Sequence, residues 1–257
     1  MKVQGKGTTI AGEIYISLRE SILNGQVRPS DKIRPQELCE RYGVSLGAVR
    51  ESLSQLMAEG LVLSEAHRGF TVASISVEDL RDLTRIRIEI ESVCLRWSME
   101  LGAIDWESEV IAATHRLTKT HHSDDQAEVR PQWIAAHDVY HLALVSACGS
   151  TRLLRIRQQL YDQSERYRKL ESALVRHRDS EDEHQRIADA AVARNTALAC
   201  RLIAEHISRT TDNIIKVMEK KATAASRSIN GRQKQSRHSQ QPSALSRPAL
   251  PSAQRRR

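Results

Sequence analysis

Apolar positions keep a helical period over most of the chain and switch to strand-like runs in one short stretch. Ile10, Ile14, Ile16, Leu18, Ile22 and Leu23 fall at helical spacing and stop at Asn24-Gly25, a helix-ending pair. A turn over Val27–Lys32 follows. The next helix is predicted over Pro35–Tyr42, with Pro35 in its first turn, Leu38 and Cys39 inward, and Gly43 as its stop. Ser45 is placed to cap a helix from Leu46 to about Glu59 that carries Val49, Leu53, Leu56 and Met57 on one face. Beyond Gly60, Leu61–Glu65 and Phe70–Ala73 flank Ala66–Gly69 and read as a small β-hairpin.

From residue 76 to 221 the pattern is helical throughout. Ser76 with Asp79 resembles a capping box and opens a long helix. Its expected inward stripe is Leu80, Leu83, Arg87, Ile90, Cys94, Trp97 and Leu101. A later helix sets Ile134, His137, His141, Leu144, Val145 and Cys148 on one face. Ser180 with Glu183 forms a second capping box, before a helix with His184, Ile187, Ala188 and Ala191 on one side. A last helix, about Thr196 to Lys220, puts His206 beside Leu202, Ile203 and Ile207. The remaining segment is rich in Ser, Arg, Gln and Pro, cannot bury a core, and is expected to be disordered. The predicted class is mainly α. A winged helix-turn-helix over 8–75 precedes an all-helical bundle over 76–221 and a basic tail over 222–257.

Charge changes this picture less than its total suggests. The formal net charge is +7, but residues 222–257 hold eight Lys and Arg and no acid, so the first 221 residues are close to neutral. A nucleic-acid reading therefore rests on pattern. Helix, tight turn, helix and hairpin is the order of a winged helix-turn-helix, whose second helix enters the major groove while the wing reaches the neighbouring backbone. Arg50 then lies on the exposed side of the recognition helix, and Ser45 and Leu46 stand at its start. Arg34, Gln36, His67, Arg68 and Gly69 complete the candidate DNA-facing set. No run of about 18 apolar residues and no secretory leader pattern is present. The cysteines at 39, 94, 148 and 200 form no CxxC pair, and the expectation is a cytoplasmic protein with buried thiols.

Two features of the second half carry chemistry. Arg87 interrupts an apolar stripe, so an anion should meet it: either a protein acid such as Glu91 or a ligand carboxylate. His137 and His141 stand four residues apart and can chelate one ion, and His184 and His206 fall on inward faces of two other helices. His137-Asp-x-x-His141 also approximates the HExxH zinc motif, which makes a metal-dependent hydrolase one alternative. Non-specific nucleic-acid binding through the basic tail is another.

The stretches Ile16–Gly25, Leu38–Ser45, Val49–Leu53, Leu56–Leu61 and Arg68–Val72 resemble the GntR family of regulators in order and spacing. Arg87–Glu91, Tyr140-His141, Ala147–Ser150, Glu183-His184 and Glu205–Ile207 resemble the FCD-like effector domain of its FadR-type branch. His137–His141 with Cys148–Ser150 is similar to CsiR-like repressors of short-dicarboxylate catabolism. Leu46 stands where the family often has a base-contacting Arg, Ala48 where Pro is common, and Ser30 where a turn Gly is common. The resemblance implies a homodimeric repressor on a short imperfect palindrome of double-stranded DNA. It also implies a divalent metal held by three histidines and a carboxylate, with a small carboxylate, a short dicarboxylate for the CsiR-like group, bound between metal and Arg87. His141, His184 and His206 match the trio; His137 takes the carboxylate's place, with Asp138 as fallback. A nitrogen-rich set favours zinc or nickel.

Overall fold

The computed structural model describes residues 9–65, 69–120, 131–171 and 180–238. The head begins with α1 (Ile10–Leu23), capped by the Thr9 side chain, which accepts from the Gly12 amide. A two-residue strand, β1 (Lys32–Ile33), leads to α2 (Pro35–Tyr42) and α3 (Leu46–Ala58). Gly43 stops α2 in the left-handed region and Ser45 caps α3 by accepting from the Ala48 amide. Strands β2 (Val62–Glu65) and β3 (Gly69–Val72) form the wing, and β1 adds to it antiparallel in the order β1-β3-β2. Sequence pattern missed β1 because two residues show no period. Ile14, Leu18, Ile22, Leu38, Val49, Leu53, Leu56, Leu61 and Val72 close one apolar core. Met57, expected among them, is exposed, because Leu53 and Leu56 already cover that side of α3.

The helical domain follows as α4 (Val77–Leu101), α5 (Ile104–Lys119), α6 (Pro131–Val145), α7 (Thr151–Glu171), α8 (Ser180–Val192) and α9 (Thr196–His238). Its main core draws on α4, α5, α6, α8 and α9, with Leu95, Met99, Trp106, Val110, Trp133, Tyr140, Leu144, Ile187 and Ile203 at its centre. The expected inward stripe of α4 holds at its start and fails at its end: Trp97 and Leu101 are exposed, while Glu91, Leu95, Ser98 and Met99 are buried. A 3-4 alternation repeats every 3.5 residues. Against 3.6 residues per turn it drifts about 20° per heptad, so three heptads carry it off the buried face.

Two further expectations are corrected. Helix α9 does not stop near Lys220 but runs on to His238, into the segment expected to be disordered. Ala, Lys, Arg and Gln predominate there and no Pro intervenes before Pro242, so local propensity favours continuing the helix. Ser180 does not stand before α8 as its cap but is already its first helical residue, and Glu183 turns to His206 and Arg209. Cys94 and Cys148 are buried, while Cys39 and Cys200 are half-buried, and all four are free thiols. Burial is the main reason the Cys94 thiol is pushed up to about 12.

Candidate functional site

On the head, Ser45 and Arg50 are exposed at the first turns of α3 and Leu46 is half-exposed. Arg34 and Gln36 are exposed at the start of α2, where Arg34 ion-pairs with Glu37 at 2.7 Å. Gly69 opens β3 at φ 81°, exposed. His67 and Arg68 lie outside the described residues. Val49, Ser52, Leu53 and Leu56 hold α3 by the opposite face, and Ser52 Oγ donates to the Ala11 carbonyl at 2.6 Å. Arg50, Glu51, Ser54 and Gln55 are thus left free of the core.

In the helical domain the four inward histidines meet. His137 and His141 from α6, His184 from α8 and His206 from α9 are all buried, and one ligand nitrogen of each lies within 4.8 Å of the others. His137 Nε2 and His141 Nε2 are 3.1 Å apart. Two nitrogens bound tetrahedrally to one ion at 2.0–2.1 Å would be about 3.3 Å apart, so the spacing suits shared coordination. His141 Nδ1 is buried without a hydrogen-bond partner. Burial first, and neighbouring histidines next, hold His137 and His141 well below the usual imidazole range. Burial and then Arg87 bring His206 down to about 4. His137, His141 and His206 are therefore held neutral at pH 7, the form a metal requires. Asp138 is exposed and accepts from the Tyr161 hydroxyl at 2.7 Å, and its carboxylate also lies within 4.8 Å of a His137 nitrogen and of Glu165, a second group able to hold an ion beside the four histidines.

The surrounding shell came mostly from residues the sequence did not flag. Glu183 Oε2 lies 2.9 Å from His206 Nδ1, an arrangement that fixes the ring so that Nε2 faces the cluster. Trp133 stacks on His137 with centroids 4.7 Å apart, and Tyr140 donates to the His184 carbonyl. Tyr161 Oη is 3.3 Å from His137 Nδ1. The sequence left two partners open for Arg87, and the first named is taken: Glu91 accepts two hydrogen bonds from Arg157, each 2.7 Å. Burial opposes the Arg157 charge, and Glu91 more than offsets it. Arg87 instead donates to Ser164 Oγ at 2.7 Å and lies over the Tyr161 ring, with its Nε buried and unpartnered. It acts electrostatically on both His141 and His206, which places its charge beside the cluster.

Helix α7 supplies much of this shell and also touches the head. Arg157, Tyr161, Ser164, Glu165 and Arg168 are buried on its inner side. Interleaved with them, Asp162 bonds Arg19, which also binds Glu59. Gln163 donates to the Glu59 carbonyl and Arg166 to the Ala73 carbonyl, each at 2.6 Å. Lys169 reaches Asn24 at 3.1 Å. A polar stripe such as Arg157-x3-Tyr161-x2-Ser164-Glu165-x2-Arg168 reads in sequence as a solvated face. The one available signal was that it repeats at helical spacing with aromatic and acidic members.

Comparison with known proteins agrees with this division. Residues 10–72 match the family "Bacterial regulatory proteins, gntR family", and residues 82–209 match the FCD domain. The HTH-type transcriptional repressor GlaR of Escherichia coli (strain K12) is 34% identical over 198 residues, covering 75% of this chain and 90% of that one. The HTH-type transcriptional regulator BphR of Paraburkholderia xenovorans (strain LB400) is 38% identical over 193 residues, covering 74% and 79%. In fold, the chain is similar to E. coli McbR/YncC, with TM-score 0.66, 18% identity and coverage of 83% and 99%. It is also similar to a GntR regulator from Rhodococcus sp. RHA1, with TM-score 0.63, 22% identity and coverage of 80% and 97%. No helix among the described residues is long and apolar enough to cross a membrane. With a winged head whose helix α3 keeps its outer face free of the core, joined to a helical domain that matches the FCD family, the chain belongs to the GntR family of bacterial regulatory proteins, of the branch that carries an FCD domain.

Proposed function

We propose that the chain is a homodimeric repressor that binds a short imperfect palindrome through α3 and the wing, and that a small carboxylate in the helical domain changes its affinity. Arg50 is the principal base- or phosphate-reaching side chain, with Ser45 and the α3 N-terminus on phosphate. Arg34, Gln36, Leu46, His67, Arg68 and Gly69 serve as flanking contacts. Leu46 offers only apolar contact, so base readout at its position is weak. His137, His141, His184 and His206 hold a divalent ion, and an all-nitrogen set suits zinc or nickel. When bound, an ion there would supply a positive centre beside Arg87, to which a small carboxylate could bind. The domain limits we assign are 8–75 for the head and 76–221 for the effector domain.

The observation that carries this reading is the buried Arg87 guanidinium, with Nε unpartnered, beside four converging imidazoles. The Arg87 charge already lies near the buried Glu165, but a buried donor left without an acceptor is costly, and a ligand carboxylate is a group that would meet it. Helix α7 offers the route to DNA: Tyr161 faces His137 and Asp138, while the next residue, Asp162, holds Arg19 of the head. A ligand that moves Tyr161 or Ser164 relative to His137 shifts the seat of the head. The relatives include a protein named as a repressor, which favours repression here. The hydrolase alternative is not favoured, because the matching families and the relatives are transcriptional regulators.

The test is fluorescence anisotropy of the full chain on DNA tiled from its own upstream region. It is run with and without zinc or nickel and a panel of short mono- and dicarboxylates. Tight binding to one palindromic fragment, weakened by one acid and lost in Arg50→Ala, is the expected result. Uniform salt-sensitive binding to all fragments would refute it.

A further inference from the structure

An imidazole that offers one nitrogen to a metal carries its proton on the other, and the group that accepts a hydrogen bond from that N–H fixes the ring. For His206 the acceptor is a carboxylate in direct contact, with Glu183 Oε2 2.9 Å from Nδ1. His137 turns Nε2 to His141, 3.1 Å away, so Nδ1 is its remaining nitrogen. That atom meets the Tyr161 hydroxyl at 3.3 Å, and the hydroxyl stands 2.7 Å from Asp138 Oδ1.

The direction of this chain follows from its end. An ionised carboxylate only accepts and a phenol has one proton, so Tyr161 donates to Asp138 and its oxygen is left to accept from His137 Nδ1–H. With the proton on Nδ1, the Nε2 lone pair faces the other histidines. The geometry is held from several sides. Tyr161 is buried, with the Arg87 and Arg157 guanidiniums 4.9 and 4.4 Å from its ring centroid, and Trp133 stacks on His137. His137, Asp138 and Glu165 lie close enough to gather a cation of their own. Glu165, however, is paired with Arg168 and lies near the Arg87 charge, which opposes a second positive centre there. The four-histidine set has the opposite need. Neutral imidazoles bring no negative charge to a divalent ion, and a carboxylate acting through a ring N–H raises their basicity.

We propose that Tyr161 and Asp138 are positioning residues of the metal centre: Tyr161 passes the Asp138 charge to His137 Nδ1–H, holds the tautomer that presents Nε2, and so raises the affinity of the site for a divalent ion. The inference rests on the metal site proposed above and gives Asp138 a role one step removed from the ion.

The experiment measures the zinc affinity of the full chain by competition with a chromophoric chelator. Tyr161→Phe keeps the ring against Arg87 and Arg157 and removes only the hydroxyl. Zinc should bind about 10- to 100-fold more weakly, with unchanged circular dichroism. Asp138→Asn, at an exposed position, keeps an acceptor but removes its charge, and should weaken binding by a smaller factor, on the order of three to ten. The double variant should bind no more weakly than Tyr161→Phe alone, because Asp138 acts through the hydroxyl. In the metal-free chain, nitrogen-15 NMR should find His137 as the Nδ1–H tautomer, and Tyr161→Phe should convert it to a mixture. A hydroxyl with a merely structural role would lower the unfolding midpoint and leave zinc affinity and tautomer as they were, which overturns the proposal. If the effects of the two substitutions multiply, Asp138 acts on the ion by itself and the relay falls. A chain that binds neither zinc nor nickel overturns the metal reading and this proposal with it, whereas unchanged zinc affinity in Tyr161→Phe overturns the proposal alone.

Discussion

The head and the helical domain solve the problem of a core in opposite ways. The head closes on aliphatic side chains, with Val49, Leu53 and Leu56 fully buried and, among the described residues, only Ser52 as a buried polar group. The helical domain buries Arg87, Glu91, His137, His141, Arg157, Glu165, Arg168, His184 and His206. An apolar core is stable without a ligand, whereas a polar one is stable only as far as every charge finds a partner. The head therefore works as a rigid reader. The helical domain instead keeps buried polar atoms without a protein partner, Arg87 Nε and His141 Nδ1, and the sensing role proposed above turns on what meets them.

The sharpest way to break this contrast is to remove one half of the buried ion pair. Glu91→Ala leaves Arg157 charged and buried, with only the Gln158 side chain and the His141 carbonyl to bind. Loss of a buried partner costs about 3–5 kcal/mol, so thermal or urea unfolding should show the helical domain failing first. Leu53→Ala tests the other side. A large-to-small change at a fully buried aliphatic site costs about 2–5 kcal/mol, here confined to the head. DNA affinity should fall while zinc or nickel binding, followed by calorimetry, persists. If Leu53→Ala also abolished metal binding, the two regions would be one cooperative unit.

Acid should separate the regions in the same order. His206 is held at about 4 against an ordinary 6.5, and burial lowers His137 and His141 as well. The unfolded chain takes up protons below pH 6.5 that the folded cluster refuses. Stability from these groups is thus fully present above 6.5 and is lost progressively as pH falls towards 4. At 1.36 kcal/mol per unit, His206 alone accounts for roughly 3 kcal/mol. Metal-free protein should show a melting temperature that falls over this window, and His206→Gln should flatten the fall. A bound ion should steepen it, because protons and metal compete for the same nitrogens.

The same contrast explains what was legible in the sequence. Periodicity located the aliphatic core of the head and the cap at Ser45, because those residues announce their burial by type. The four histidines were legible because imidazoles on inward helical faces are unusual and two lie at chelating spacing. Glu183, Tyr161, Ser164 and Arg168 were not, because a buried polar residue looks like a solvated one until the facing helix is known. Trp97 and Leu101 misled in the reverse sense: large apolar residues on a near-regular stripe read as core, and the drift of a 3.5-residue repeat sets them outside it.

Even the head has one strained point, and it lies in an exposed turn and not in the core. Ser30 adopts φ 68°, a left-handed conformation that costs an ordinary residue of the order of 1 kcal/mol. The turn is held by its backbone: the Ser30 amide donates to the Val72 carbonyl at 3.0 Å and the Val72 amide to the Asp31 carbonyl at 2.9 Å. The Ser30 side chain is exposed. Ser30→Gly relieves the strain and keeps both bonds, but it adds backbone freedom to the unfolded chain. The net should be a stabilisation of roughly 0.5 kcal/mol, seen as a small rise in the melting transition of the head with DNA and metal affinities unchanged. Ser30→Val sharpens the test from the other side, because a β-branched residue tolerates positive φ poorly and should lower the same transition. If glycine destabilised the head instead, the positive φ would be an unstrained feature of this turn, and the stability of the wing would rest on the Ser30 side chain after all.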